Sequence, residues 1–526
     1  MLDEAPPRTG QVRSGRRRAG GKDAARLVWV VTFVGFFLLG AAWSLAMPYD
    51  GPPDELQHVT RAYGVADGQI YAGKANAAVT TAKSLVPKGF GCFRWNTAVT
   101  AKCQHTPGGN TAMHSTVSFP TGAAGYNPSY YLFVGPVLRL SPDMTGIVLA
   151  RLLTDAEIAA FMACAMAIAW TSSRGRWMVI GIAVGITPVA VNLMGAVNPA
   201  GVEIGAALAF WAALLDLLGP GRARRWVVAV AIWSGVVFAL TRGFGVGWLG
   251  ATAVICAFGA DREKLLELWR LKAARWAAAA IVAACVLAGL WDLMAGANYD
   301  LTGTTPPHTS LSQVSLQEIW VRLPGYIDGT VRQTSYGDVP VPQAVSQIWF
   351  FFVGLIVLGG LWVGSVRTRI QILAIIVISF AMLMVTDINA VRQGFWFSQG
   401  RYALPLLVGA PMIGALALGR SRLFEGARGL SLLRWMVVCL LPLQLVALWT
   451  TMLRFQHGYP TSGKLPLDAF NGSWLPPLGP YLPVALMCLG IAVLAWCAWK
   501  AESFAKRLDA LAASPIVLPS PTAGTA

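Results

Sequence analysis

Twelve runs of mostly apolar residues, each near the length that crosses a bilayer, constrain this chain more than any other feature. A hydrocarbon layer about 30 Å thick takes a helix of roughly 20 residues. The runs cover residues 27–47, 146–170, 177–195, 201–218, 226–240, 243–258, 276–295, 348–362, 370–386, 403–418, 435–453 and 481–499. The expectation is an all-α polytopic membrane protein of about twelve transmembrane helices. Composition agrees, with 55% hydrophobic and 13% charged residues and a mean hydropathy of +0.56, where a soluble domain carries about 25% charge. No separate soluble domain fits between the runs. The fifth and sixth are short, are separated by Thr241-Arg242-Gly243, and read equally as a re-entrant pair.

Basic residues set the expected orientation. With the N-terminus inside, 26 of the 41 Lys and Arg fall on the inner side against 10 of the 25 acids. Every short inner loop is then basic: Arg174 and Arg176; Arg222, Arg224 and Arg225; Arg367 and Arg369; Arg420 and Arg422. The net charge of +16 therefore reports membrane orientation and not nucleic-acid binding. The expected organisation is a cytoplasmic basic tail (1–26), a transmembrane domain (27–500) and a cytoplasmic C-terminal tail (501–526) that is partly disordered. The Arg13–Arg18 run would touch anionic lipid. The first apolar run is too long for a removable signal peptide and lacks a small-residue cleavage site.

Four segments remain outside with length enough to build a site: 48–145, by far the longest, 296–347, 387–402 and 454–480. All five histidines (His58, His105, His114, His308, His457) lie in them. Six of the eight cysteines sit in apolar runs and read as packing residues. Cys92 and Cys103 share the first outer loop, where a disulfide is the expectation. Zinc held by Cys92, Cys103, His105 and His114 is the competing reading, although the spacing fits no strong zinc pattern.

The polar chemistry concentrates just after the first run, in Met47-Pro48-Tyr49-Asp50-Gly51-Pro52-Pro53-Asp54-Glu55-Leu56-Gln57-His58. Carboxylates beside a bilayer are costly and need a reason. Two prolines stop the first helix and fix where the acidic pair sits. From Asp54 onward an amphipathic helix is expected on the outer leaflet, with Asp54, His58 and Arg61 on one polar face. An N-cap Asp with a helix-stabilising Asp–His pair is the plainer reading, but it leaves Asp50 and Glu55 unexplained.

Gln399-Gly400-Arg401-Tyr402 lies at the outer mouth of the tenth run, shortly after Arg392. A guanidinium there suits a lipid-linked phosphate, and a snorkelling Arg is the alternative. Arg242 is a further candidate anion contact. Arg151 and Asp155, four apart, read as a structural ion pair. Asn198 reads as a helix cap and Glu203 as a candidate sugar contact. The sequence has no Walker-type loop, dinucleotide fingerprint, Gly-x-Ser-x-Gly or His-Glu-x-x-His. An activated sugar donor on the outer face would have to arrive attached to lipid.

Pro52-Pro53-Asp54-Glu55-Leu56-Gln57-His58, Asn127-Pro128-Ser129-Tyr130-Tyr131 and Gln399-Gly400-Arg401-Tyr402 resemble a bacterial multi-pass membrane-protein family placed among the GT-C glycosyltransferases, which use polyprenyl-phosphate sugars. The likeness runs from about residue 25 to 500, and the Tyr-Tyr turn departs from it by lacking a His-Pro-Pro lead. The resemblance implies a GT-C-like fold with juxtamembrane helices in the long first loop. It also implies an inverting glycosyltransferase on the outer face of the bacterial cytoplasmic membrane. Asp54 or Glu55 would be the catalytic base. Asp50, His58, Arg61, Arg242, Arg392, Arg401 and Tyr402 would line the substrate site, with Arg401 and Arg392 neutralising the departing phosphate. Asp54, Glu55 and His58 would be the set to hold Mg²⁺ or Mn²⁺ if one is used. The implied partners are a polyprenyl-phosphate-linked sugar, a cell-envelope glycan acceptor and the lipid bilayer. The competing readings are a transporter or flippase of a lipid-linked glycan and a non-catalytic cell-envelope assembly protein. A transporter predicts ionisable groups at mid-membrane and internal repeats, whereas the charges here gather at the outer mouths.

Overall fold

The computed structural model describes residues 10–73, 77–108, 115–172, 175–295, 311–339, 341–391, 398–421, 427–459 and 467–513. In chain order these form α1 (Gly10–Ala46), α2 (Glu55–Ala66), β1 (Ala78–Ala82), β2 (Thr116–Pro120), α3 (Ser129–Leu140), α4 (Met144–Thr171), α5 (Gly175–Gly185), α6 (Pro188–Met194), α7 (Pro199–Leu217), α8 (Arg225–Thr241), α9 (Gly245–Gly259), α10 (Arg262–Arg270) and α11 (Lys272–Ala295). There follow α12 (Leu311–Gln317), α13 (Leu323–Gly329), α14 (Gln343–Val363), α15 (Val366–Val391), α16 (Leu404–Leu407), α17 (Gly409–Arg420), α18 (Ala427–His457) and α19 (Tyr481–Ala513).

Each of the twelve apolar runs lies on helix, so the protein is an all-α polytopic membrane protein. Among the described residues, nine helices are long and apolar enough to cross a bilayer. The other three expected spans differ. The third is α5 and α6, bent by 72°. The bend follows from Thr187, whose hydroxyl accepts from the Ala190 N–H to cap α6, and from Pro188 at its first position, where a missing N–H costs nothing. The fifth and sixth, α8 and α9, are shorter apolar helices. One small β-ribbon interrupts the helical pattern, with β1 antiparallel to β2 and Ala78 opposite Pro120.

Around α1 pack α4 and α19; α7 joins α4 to α8, and α17 is held between α5 and α14. The α14–α17 approach is so close that a Cβ on Gly360 would sit 2.5 Å from the Gly414 Cα, the small-residue contact that lets membrane helices touch. Helix α11 faces outward with Val282, Val286, Leu287, Leu290 and Leu293 exposed, a surface only lipid covers at no cost.

Helix α2 departs from expectation. It does not leave its polar face open: ten of its twelve residues are buried, and α3 and β1 cover it. Its first residue, Glu55, is pinned to Arg151 of α4. Arg151 Nε and Nη2 reach the two Glu55 carboxylate oxygens at 2.7 and 2.6 Å. The remaining donors go to the carbonyls of Ser44, Met47 and Pro48 at the end of α1. Glu55 also accepts from the Asp50 and Val197 N–H groups. The expected Arg151–Asp155 pair is therefore absent: the local four-residue spacing loses to a partner 96 positions away. Asp155 is buried, and among the described residues neither of its carboxylate oxygens is hydrogen-bonded.

Removing one partner of a buried, fully bonded pair costs about 3–5 kcal/mol. Glu55→Gln and Arg151→Leu should each lower the thermal midpoint of the detergent-solubilised protein markedly. Asp155→Asn, which breaks no hydrogen bond, should stay near wild type. The reverse ranking in a thermal-shift series would mean that Asp155 is the true partner.

Candidate active site

The chain leaves α1 through two residues in left-handed conformation, Asp50 and Asp54, each at φ 61°. Aspartate tolerates this region better than most residues, but it remains uncommon without glycine. With Pro52 and Pro53 between them, the two turns send neighbouring carboxylates in opposite directions. Glu55 points inward to Arg151. The Asp54 side chain stays 35% exposed and accepts from Arg401 Nη2 at 3.2 Å. The Asp54 N–H donates to the Tyr336 hydroxyl at 2.9 Å.

Asp50 is fully buried and its oxygens are committed. Oδ1 accepts from the Leu56 N–H and the Tyr336 hydroxyl, and Oδ2 accepts from Arg94. Arg94 in turn lies over the Tyr336 ring, 5.0 Å from its centroid. Asp50 thus ties the first outer loop to the segment around Tyr336. Cys92 and Cys103 form the expected disulfide, with Cα atoms 6.2 Å apart, which removes both thiols from the zinc alternative.

Arg401 is placed by a short 3₁₀ turn, Gly400–Ala403. Gly400 is required there, since a Cβ would lie 2.3 Å from the Tyr326 carbonyl. The Arg401 side chain is 2% exposed, yet among the described residues Nε and Nη1 have no hydrogen-bond partner. Its guanidinium lies 5.2 Å from the Tyr402 ring, and Arg242 sits 4.7 Å from the same ring. Two cations sharing one aromatic ring make a cationic wall. Arg242 is partly balanced by Glu203 at 3.2 Å, whose other oxygen is unpaired. His58 Nδ1 lies 2.8 Å from the Tyr131 hydroxyl. Burial first, then the Arg242 and Arg401 charges, push its pKa down to about 3, so the imidazole is neutral.

The structure therefore brings together Asp54, His58, Arg242, Arg401 and Tyr402, and it separates two expected members. Glu55 is locked to Arg151. Arg61 turns away and donates to the Gln69 and Ile70 carbonyls, both at 2.7 Å, closing the loop after α2. Arg392 lies outside the described residues, as do His114 and His308. The divalent-metal set also fails to form: Asp54, Glu55 and His58 point at Arg401, Arg151 and Tyr131, and no group of three or more His, Cys, Asp or Glu among the described residues could hold a metal. Asn198 is the helix cap it was expected to be, accepting from the Ala200 N–H at 2.9 Å while its amide donates to the Pro53 carbonyl. Sequence reasoning missed Arg94, Tyr336 and Tyr126, whose ring meets that of His58 edge-on with centroids 5.5 Å apart. None lies at a helical spacing from the acidic motif, and only the proximity of Arg94 to Cys92 gave a signal. What remains is a half-open carboxylate beside a cationic wall with idle donors, suited to holding an anion next to a proton acceptor.

A histidine whose folded pKa is depressed below the unfolded value near 6.5 contributes stability that is present above that value and lost as pH falls. The thermal-midpoint advantage of wild type over His58→Gln should therefore shrink between pH 7 and pH 5. An advantage that grows on acidification would mean a protonated His58.

No curated protein matches the chain. Among solved structures it is similar to ArnT from Cupriavidus metallidurans in the apo state, at 14% identity and TM-score 0.44 over 93% of this chain and 78% of that one. It is similar likewise to the same protein bound to undecaprenyl phosphate, at 14% identity and TM-score 0.41 over 91% and 78%. A family model described as "Predicted membrane protein (DUF2142)" matches residues 37–410. That match spans more than half of the sequence, and the chain belongs to this family.

Proposed function

We propose that the protein is a membrane glycosyltransferase that moves a sugar from a polyprenyl-phosphate donor to a cell-envelope acceptor. The observation that carries this reading is the Asp54–Arg401 contact, in which a buried guanidinium with two unused donors stands beside the one half-open carboxylate of the site. A buried charge with idle N–H groups is costly unless something completes its bonding. A phosphate does so, because guanidinium donors match phosphate oxygens.

Asp54 accepts the proton of the acceptor hydroxyl as that oxygen attacks the anomeric carbon. The bond from that carbon to the phosphate oxygen breaks, and its electron pair leaves with the polyprenyl phosphate. Arg401 and Arg242 neutralise the charge that develops there. One displacement inverts the anomeric centre. Glu55, which accepts four hydrogen bonds, has no capacity left for a proton and serves to position Asp54. No step is assigned to a metal, since the candidate ligands do not converge. The basic loops support an orientation with this end of the bundle on the outer face of the cytoplasmic membrane, where a lipid-linked donor is the available activated sugar. Clustering of charge at the helix mouths, not mid-membrane, favours transfer over transport.

Purified protein in nanodiscs, given labelled polyprenyl-phosphate sugars and lipid-free envelope glycan, tests the reading. Asp54→Asn should lower transfer about 10²–10⁴-fold, the range for one general base. Arg401→Ala should lower it by about 10² or more, as for one charge-stabilising group, with Arg401→Lys intermediate. Undiminished transfer in Asp54→Asn removes the proposed base. Donor flipping without transfer would support a transporter.

A further inference from the structure

Trp95 has no part in the chemistry above, and its setting is unusual. Its backbone is left-handed at φ 54°, a real outlier for a bulky side chain, and its side chain is 71% exposed. Strain of this kind persists only where the surroundings over-determine it, and it gathers at functional sites. The surroundings here do so. Cys92 is held in the disulfide and Arg94 is bonded to Asp50. The Phe93 and Asn96 carbonyls both accept from Arg454 of α18, at 2.7 and 3.1 Å. Residues on either side are clamped by their backbone or side chain, and the Trp95 indole projects.

The direction of projection is informative. The indole meets the Tyr336 ring edge-on, with centroids 5.4 Å apart. The Tyr336 hydroxyl is the group that holds the Asp54 N–H and the Asp50 carboxylate. An open aromatic face therefore stands one ring away from the candidate base, at a rim carrying Arg94 and Asp54. An indole that only anchors the protein in lipid needs no fixed backbone and sits among apolar neighbours. A rigid indole with a polar rim suits a ligand that has apolar C–H faces and hydroxyl edges, which is a carbohydrate.

We infer that Trp95 is the stacking platform of a glycan-binding subsite beside Asp54, and that this subsite receives the acceptor. Only the second clause rests on the transferase reading. The full chain, in phosphatidylethanolamine–phosphatidylglycerol nanodiscs and labelled with 5-fluorotryptophan, is titrated with size-fractionated, lipid-free envelope glycan. Comparison with Trp95→Phe identifies the Trp95 fluorine resonance. That resonance should shift saturably with glycan. Trp95→Gly accepts φ 54° without strain and so keeps the fold; it should bind the labelled glycan about tenfold more weakly, while Trp95→Tyr stays near wild type. In the transfer assay Trp95→Gly should raise the acceptor KM and leave donor hydrolysis by water unchanged. A resonance indifferent to glycan but broadened by spin-labelled lipid would overturn the inference in favour of a membrane anchor. Transfer that proceeds with unchanged acceptor KM in Trp95→Gly would overturn it while leaving the transferase intact. A saturable shift with no transfer by wild type would keep the glycan subsite and sink the transferase.

Discussion

The buried Arg151–Glu55 pair is the constraint on which the rest of this structure depends. Moving two charges out of water is expensive, and the attraction between them repays it only when every remaining donor and acceptor is used. Here all five guanidinium N–H directions are taken, two by Glu55 and three by carbonyls at the end of α1. Glu55 completes its own set with the Asp50 and Val197 amides. One ion pair thus fixes four pieces of chain: the end of α1, the start of α2, the second turn of α4 and the turn leading into α7. Because Glu55 must face inward, the left-handed turn at Asp54 carries that carboxylate the other way, onto the rim. The exposed acid at the candidate site is a consequence of the buried one beneath it.

Hydrogen-bond satisfaction, more than burial, separates the arginines of this protein by role. Arg151, Arg401 and Arg454 are all buried. Arg151 is fully bonded. Arg454 spends its terminal nitrogens on three carbonyls of the first outer loop and on Asp338, which makes it a clamp between α18 and that loop. Arg401 spends one nitrogen, on Asp54. Buried polar groups in native proteins are nearly always bonded; of these three arginines Arg401 leaves the most unused among the described residues, two nitrogens against the single Nε of Arg454, and an anionic ligand would complete its set.

The helical class was legible because it rests on run length, a local property that the bilayer enforces; all twelve runs lie on helix, down to the brevity of α8 and α9. The α5–α6 bend was missed because a single run, 177–195, conceals the Thr187-Pro188 break inside it. The site was legible only in part. Asp54, His58, Arg242, Arg401 and Tyr402 announced themselves as polar residues at membrane mouths, and these five converge. Glu55 could not be told from Asp54 by sequence, since neighbouring acids look alike until a left-handed turn parts them. Arg61 and Asp155 were assigned by helical spacing; Arg61 instead closes the loop after its own helix, and Arg151 leaves Asp155 for a partner 96 positions away. Tyr336 had no local signal at all and Arg94 only its place beside Cys92, because their meaning lies in contacts across 286 and 44 positions with Asp50.

That dispersal bears on how the site is built. Its parts come from the turn after α1, the disulfide loop, the α8–α9 junction, the segment around Tyr336 and the 3₁₀ turn at Arg401. Asp50 joins the first three elements it touches through Arg94, Leu56 and Tyr336, and Ser335 adds a hydrogen bond to the Gly51 carbonyl at 2.6 Å. The Asp54 side is thus cross-braced in several directions, whereas the Arg401 side leans on close backbone packing at Gly400 and on one shared tyrosine ring. A site with one rigid half and one half short of partners is preorganised for positioning an acceptor, and it leaves its unmet bonding capacity where an anionic group would enter. In the proposed reaction this division matters: orientation is needed before the attack, and charge neutralisation only as the phosphate departs.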